Sequence, residues 1–227
     1  MLPFRTLAVP LLFLASGVAA DPLPQILARM EQASITFKAL TAEMKRVIHT
    51  AVLNEDEVQV GTLVVKRPKL KEFRALLDLK GANAKQVAYS GHNVEIYYPE
   101  SKLIQIYDIN KKLGSQVDKY LLLGFGASPK DLQQVYNIAF VGEETVNGQK
   151  TTRLALTPKQ PDTATGMIKA ELWVSGETGI AVQQKLYFSG GDYQLATYTN
   201  IKINPAIPDS AVQLNAPKDA KKEYPQK

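Results

Sequence analysis

Few side chains in this 227-residue sequence are of the kinds that perform covalent chemistry. It has no cysteine and two histidines, His49 and His92. Thiol chemistry, disulfides and cysteine-based metal sites are therefore excluded. His49 falls in an alternating strand pattern and His92 in a Ser90-Gly91-His92-Asn93 turn, with no spacing that would bring them together. No G-x-S-x-G, H-E-x-x-H, G-x-G-x-x-G or phosphate-loop pattern occurs. The carboxylates lie in turns or on polar strand faces. The residues thus point away from an enzyme: no catalytic residue, no metal site and no cofactor is expected. Tyr97, Tyr98, Tyr107 and Trp173 could stack on a ligand, although aromatic residues in strands more often pack. One cation stands apart. Arg67 closes an apolar strand immediately before Pro68.

The elements that must position Arg67 are strands. From Leu40 to His49 apolar and polar residues alternate, as in a long first strand, and Asn54-Glu55-Asp56-Glu57 reads as the turn after it. Leu63, Val65 and Arg67 share one face of the second strand, because side chains alternate. Phe73, Ala75, Leu77 and Leu79 share a face of the third, with Glu72, Arg74 and Asp78 opposite. Further strands are expected near 85–89, 94–98 and 102–109, then near 137–146, 150–158, 167–175, 180–189 and 192–203. Asn147-Gly148 is a strong hairpin signal. Ile180, Val182, Leu186 and Phe188 share a face interrupted by Gln184, and Tyr193, Leu195 and Thr197 share another. Several strands carry apolar residues on both faces, more than a one-sided surface sheet requires. The count is about eleven strands, with helices confined to the start and middle. That is an α+β fold with a single curved antiparallel sheet, and one face reads as a concave apolar surface made to hold something greasy. Its candidate lining is Leu63, Val65, Phe73, Ala75, Leu77, Ile96, Leu186 and Phe188.

Two helices are expected. Ile26, Leu27, Met30, Ala33 and Phe37 recur at helical spacing, with Pro22 and Pro24 suited to the start. Ser128-Pro129-Lys130-Asp131 offers an N-cap serine, a proline at the first position and an acid in the first turn, so a helix should run from about 129 to 136. Before it, Val117, Tyr120, Leu121, Leu122, Leu123 and Phe125 form a short, very apolar segment ending in Gly124-Phe125-Gly126, and the whole reads either as a movable helical flap or as a fixed helical connection buried in the core.

Residues 1 to 20 resemble a cleaved secretory signal, with Arg5, an apolar run from Leu7 to Val18, and Val18-Ala19-Ala20 before Asp21. Residues 21–227 form one domain, with 45% hydrophobic residues overall to build its core. The net charge of +5 is scattered except near the C-terminus, so it is no nucleic-acid footprint. Residues 218–227 read as a frayed tail.

Gly61-Thr62-Leu63-Val64-Val65-Lys66-Arg67-Pro68, the Ser90-Gly91-His92-Asn93 turn with Ile96-Tyr97-Tyr98-Pro99, and Leu154-Ala155-Leu156-Thr157-Pro158-Lys159 carry a resemblance. The chain resembles the periplasmic outer-membrane lipoprotein carrier family, LolA-like. The resemblance implies an unclosed β-barrel lined by apolar side chains and covered by helices. It implies a monomeric periplasmic carrier that shuttles lipoproteins from the inner to the outer membrane. Lipoprotein acyl chains would enter the cavity from an inner-membrane lipoprotein-releasing transporter and leave to an outer-membrane acceptor. Arg67 matches the arginine that latches the lid through backbone hydrogen bonds. Residues 120 to 126, with Leu121, Leu122, Leu123 and Phe125, would be that lid. Related folds also serve as acyl-chain-binding sensors, as regulatory modules, or as carriers of other lipids.

Overall fold

The computed structural model describes residues 22–69, 72–91, 93–108, 123–161 and 166–225. The signal-like segment, Leu121, Leu122 and the His92 turn position lie outside the described residues. In chain order the elements are α1 (Pro22–Thr36), β1 (Ala39–Thr50), β2 (Glu55–Lys69), β3 (Glu72–Lys80), β4 (Lys85–Tyr89), β5 (Asn93–Tyr98) and β6 (Leu103–Asp108). Then come α2 (Pro129–Val135), β7 (Tyr136–Val146), β8 (Gln149–Pro158), β9 (Met167–Ser175), β10 (Ala181–Phe188), β11 (Tyr193–Ile203) and β12 (Lys221–Glu223).

The strands form one sheet in the order β12-β6-β5-β4-β3-β2-β1-β11-β10-β9-β8-β7. Two antiparallel meanders, β1–β6 and β7–β11, are joined where β1 pairs with β11. β7 and β12 end the order, so the barrel is unclosed. The α2 start follows its sequence signals. Ser128 is extended, its Oγ accepts a 3.2 Å bond from the Lys130 amide, and Pro129 opens the helix. α1 buries Ile26 and Met30, one turn apart on a single face.

Two expectations need correction. The first hairpin turns at 51–54, not at 54–57. Asn54 adopts φ 52°, a left-handed conformation that asparagine tolerates, and Glu55–Glu57 continue as strand. His49 and Asp56 then face each other and bond at 2.7 Å. The tail is also not frayed as far as 225. Lys221–Glu223 adds a twelfth strand, parallel to β6. The segment before it crosses the convex face. Lys66 Nζ donates to the Ile207 carbonyl at 2.9 Å, Val212 is buried, and the Asn215 amide donates to Gln86 Oε1 at 2.8 Å.

The concave face is filled unevenly. Over β8–β10 the two helices and Leu123 build a cluster with Ile26, Met30, Leu132, Leu154, Leu156 and Leu172. Over β1–β4 and β11 the second cluster is roofed, among the described aromatic residues from outside the sheet, by Phe37 and Phe125. That thinner cover is where the cavity lies.

Candidate ligand cavity

A cavity of about 180 Å³ opens on the concave face. Its wall draws on both meanders: Met44 and Leu63, Ala75 and Leu77, Val87 and Tyr89 from one, Leu186, Ala196 and Tyr198 from the other. Phe125 stoppers it and meets Tyr198 edge-on, with ring centroids 4.7 Å apart at 81°. The side chains from β2 and β3 that reach it are those the alternation assigns inward. Lys66, one residue out of phase with Val65, binds the tail on the convex side.

Of the eight expected lining residues, Leu63, Ala75, Leu77 and Leu186 line the cavity. Val65 and Phe73 are buried in the same cluster but lie outside its wall, nearer Arg67. Ile96 shares a face of β5 with Val94, and only Val94 reaches the wall. Phe188 is half-buried against the cluster that the helices cover. Sequence reasoning missed Met44, Ala196 and Tyr198. Met44 lay within the β1 alternation already recognised. On β11 the run Tyr193, Leu195, Thr197 drew attention to the opposite, convex face. Trp173, considered as a stacking platform, is also convex: its Nε1 donates to Glu144 at 2.6 Å under the Arg153 guanidinium.

The Gly124-Phe125-Gly126 segment is a buried stopper, pinned in place. The Ala181 amide donates to the Gly124 carbonyl at 2.9 Å, and Leu123 and Phe125 are fully buried. Both glycines have positive φ, and both meet close neighbours. A Cβ on Gly124 would lie 2.5 Å from the Ala181 Cβ, and one on Gly126 would lie 2.8 Å from the Phe37 ring. Only glycine allows both the turn and the approach.

Arg67 does not reach the 123–126 segment directly. Its Nε donates to the Phe37 carbonyl at 2.8 Å, and a second nitrogen donates to the carbonyls of Ser34 and Phe37. These are the last carbonyls of α1 and the turn after it, where a cation also complements the helix dipole. The guanidinium lies over the rings of Phe37 and Phe73, 5.4 and 5.6 Å from their centroids. Burial lowers its pKa from the ordinary value, a desolvation cost that these bonds offset. Arg67 reaches the 123–126 segment through one step of packing: it fixes Phe37, and the Phe37 ring lies against Gly126, while the expected contacts with residues 120 to 122 lie outside the described residues. Asn204 clamps the same turn from the other side and was not anticipated. Its Oδ1 accepts from the Lys38 and Ala39 amides at 2.7 and 3.2 Å, and its Nδ2 donates to the Thr36 carbonyl at 2.9 Å.

Among the described residues no group of three or more His, Asp or Glu side chains is arranged to hold a metal. Among them, too, no helix is long and apolar enough to cross a membrane. What the site offers is apolar volume behind a stopper.

The fold and this volume define a class: an open half-barrel with an apolar hold. No protein-family model and no curated protein matches the chain. Solved structures do. An uncharacterised conserved protein from Thermus thermophilus matches over 90% of this chain and 99% of its own, at 12% identity and a TM-score of 0.56. MucB matches over 88% of this chain and 64% of its own, at 18% identity and 0.52. LprF from Mycobacterium bovis matches over 87% and 99%, at 15% identity and 0.51. At such identities the likeness is one of fold. A LolA superfamily protein from Nitrosomonas europaea is also among the matching structures, at 9% identity and 0.42.

Proposed function

We propose that the chain is a periplasmic carrier of acyl chains, which takes up the lipid anchor of a lipoprotein in the cavity behind Phe125 and releases it at another membrane. The single observation that carries this reading is the apolar hold itself, shared between the two meanders and stoppered by one aromatic ring. A dry cavity of about 150 Å³ accommodates a benzene-sized guest. At about 180 Å³ the resting cavity admits the end of one chain. Fuller loading requires Phe125 to move. This suits a shuttle. Each methylene buried contributes about 0.8 kcal/mol, so a carrier that buried several whole chains would never release them. A stopper that refills the empty cavity competes with cargo and keeps loading reversible.

In this reading Arg67 is the latch, acting through the end of α1. Residues 1 to 20 export the chain and are removed, leaving 21–227 as the carrier domain. An inner-membrane releasing transporter is the donor, and an outer-membrane acceptor receives the load. A second reading is an acyl-chain-binding regulatory module. Its fold counterpart is MucB, a protein also solved in complex with MucA. Purification of the native protein from the periplasm separates the two. Co-purifying acylated lipoproteins support the carrier, and one stable unacylated protein partner supports the regulator. A lipid-free protein that also fails to bind a hydrophobic fluorophore overturns both.

A further inference from the structure

Val182, Gln184, Leu186 and Phe188 share a face of β10, and Gln184 alone among them is polar. It pairs across the sheet with Ala196 and lines the cavity, 6% exposed. Its Nε2 donates to the Tyr198 hydroxyl. Among the described residues that is the only hydrogen bond of the Gln184 side chain, so its Oε1 accepts from no protein group. A buried amide oxygen without a donor is costly, and a leucine in this slot would avoid the cost. The other polar side chains of the wall differ. Arg46 is held by Gln59, whose Oε1 accepts from its Nε at 3.1 Å. Gln194, opposite Leu186, is only half-buried, so water can satisfy it.

The amide also stands beside the stopper. Phe125 meets the Tyr198 ring edge-on, with centroids 4.7 Å apart, and Gln184 is bonded to that same tyrosine. The apolar wall of Leu63, Ala75, Leu77 and Val87 comes from β2, β3 and β4, in the other meander. A tail that enters past Phe125 comes to rest against that wall. Its head linkage enters last and comes level with Gln184.

We propose that Gln184 reads the linkage of the acyl chain. Its Oε1 accepts the N–H of an amide-linked chain, such as an N-acylated amino terminus carries. An ester-linked chain has no hydrogen to donate and leaves that oxygen unmet. This rests on the acyl-carrier reading above and deepens it, because it names the linkage of a lipid anchor that the hold selects. In an all-apolar hold the preference would run the other way, since a secondary amide loses more hydration than an ester on entering. The sign of the preference therefore separates an amide reader from a merely greasy cavity.

The test titrates the native protein with three fluorescent probes of one tail: the methyl ester, the N-methyl amide and the N,N-dimethyl amide of cis-parinaric acid. The N-methyl amide should bind about tenfold more tightly than the ester, the scale of one buried hydrogen bond whose acceptor is otherwise stranded. The dimethyl amide keeps the carbonyl and lacks the N–H, so it should bind no better than the ester. In Gln184→Leu the order should reverse, with the ester ahead of the N-methyl amide. Gln194→Leu should keep the native order. If Gln184 only holds Tyr198, Gln184→Leu changes the three affinities together and leaves their ratios alone, which overturns the proposal. Equal or weaker binding of the N-methyl amide than of the ester by the unmodified protein also overturns it, and leaves the acyl cavity standing. Failure of all three probes to bind overturns both. The comparison within the unmodified protein does not depend on a variant folding.

Discussion

Replacing Arg67 by leucine should loosen the stopper without touching the cavity. The guanidinium donates to two carbonyls, those of Ser34 and Phe37, and each bond from a charged donor is worth about 1.5–3 kcal/mol when the partner would otherwise be stranded. Leucine keeps apolar bulk against Phe37 and Phe73 and removes the cost of burying the cation, so the net loss is about 2 kcal/mol. For a chain of this size that lowers the melting temperature by about 4–8 °C. The more informative consequence lies in the Phe37–Gly126 contact, which transmits the loss to Phe125. If binding needs the stopper displaced, a shift of about 2 kcal/mol raises the displaced population about 30-fold, and the apparent affinity rises by up to the same factor. A hydrophobic fluorophore titrated at about 25 °C into wild-type and Arg67→Leu protein reads this directly, with near-ultraviolet circular dichroism confirming intact packing. In a transfer assay the variant should take up cargo readily and hand it over poorly. A lower melting temperature with unchanged fluorophore affinity would refute the coupling and reduce Arg67 to a cap on α1.

Phe125→Leu should enlarge the hold at a cost of about 1–2 kcal/mol and tighten binding of long acyl probes; unchanged affinity by isothermal calorimetry would count against Phe125 as the stopper. Asn204→Ala removes three side-chain bonds from the 36–39 turn and a residue suited to its φ of 54°. It should cost about 2–3 kcal/mol by chemical denaturation and, like Arg67→Leu, raise fluorophore binding. On the convex face, burial and the hydrogen bond to Glu171 push the Tyr187 hydroxyl from 10.0 to about 12. The fold favours the protonated form. That stabilisation is complete below pH 10 and is lost as pH rises from 10 toward 12. Denaturation midpoints should fall over that window in the native protein and less in Tyr187→Phe, and ultraviolet titration should show one late tyrosine that the variant lacks.

The strands were legible because period-two alternation survives in a sheet with one buried face. β2 and β3 show it most clearly, and from them Leu63, Ala75 and Leu77 were placed inward. The α2 cap was legible because Ser128-Pro129 acts locally. What could not be read were matters of position along a strand and of partner. Ile96 and Val94 share a face, but where the cavity ends depends on how far the sheet curves, which no periodicity encodes. The bonds of Arg67 to the end of α1 were not legible, because a cation before proline says only that carbonyls lie nearby. That the Ser34 and Phe37 carbonyls are among them depends on where α1 ends against the Phe37 ring, which periodicity does not encode. β12 left no trace, since Lys221-Lys222-Glu223 has no apolar pattern and pairs through its backbone with a strand far away in sequence. Asn204 was silent for a similar reason: its side chain works on the backbone of a turn brought to it by the β1–β11 pairing.

The central claim is that an acyl chain occupies the volume enclosed by β1–β4, β10 and β11 beneath Phe125. A fatty acid carrying a photoactivatable diazirine near its tail, cross-linked to the native protein and mapped by mass spectrometry, tests this most directly. The account predicts labels on Met44, Leu63, Leu77 and Leu186, displaced by excess unlabelled fatty acid. Labels confined to exposed apolar residues such as Val52 and Leu53 at the hairpin tip, or labels that excess fatty acid does not displace, would contradict it.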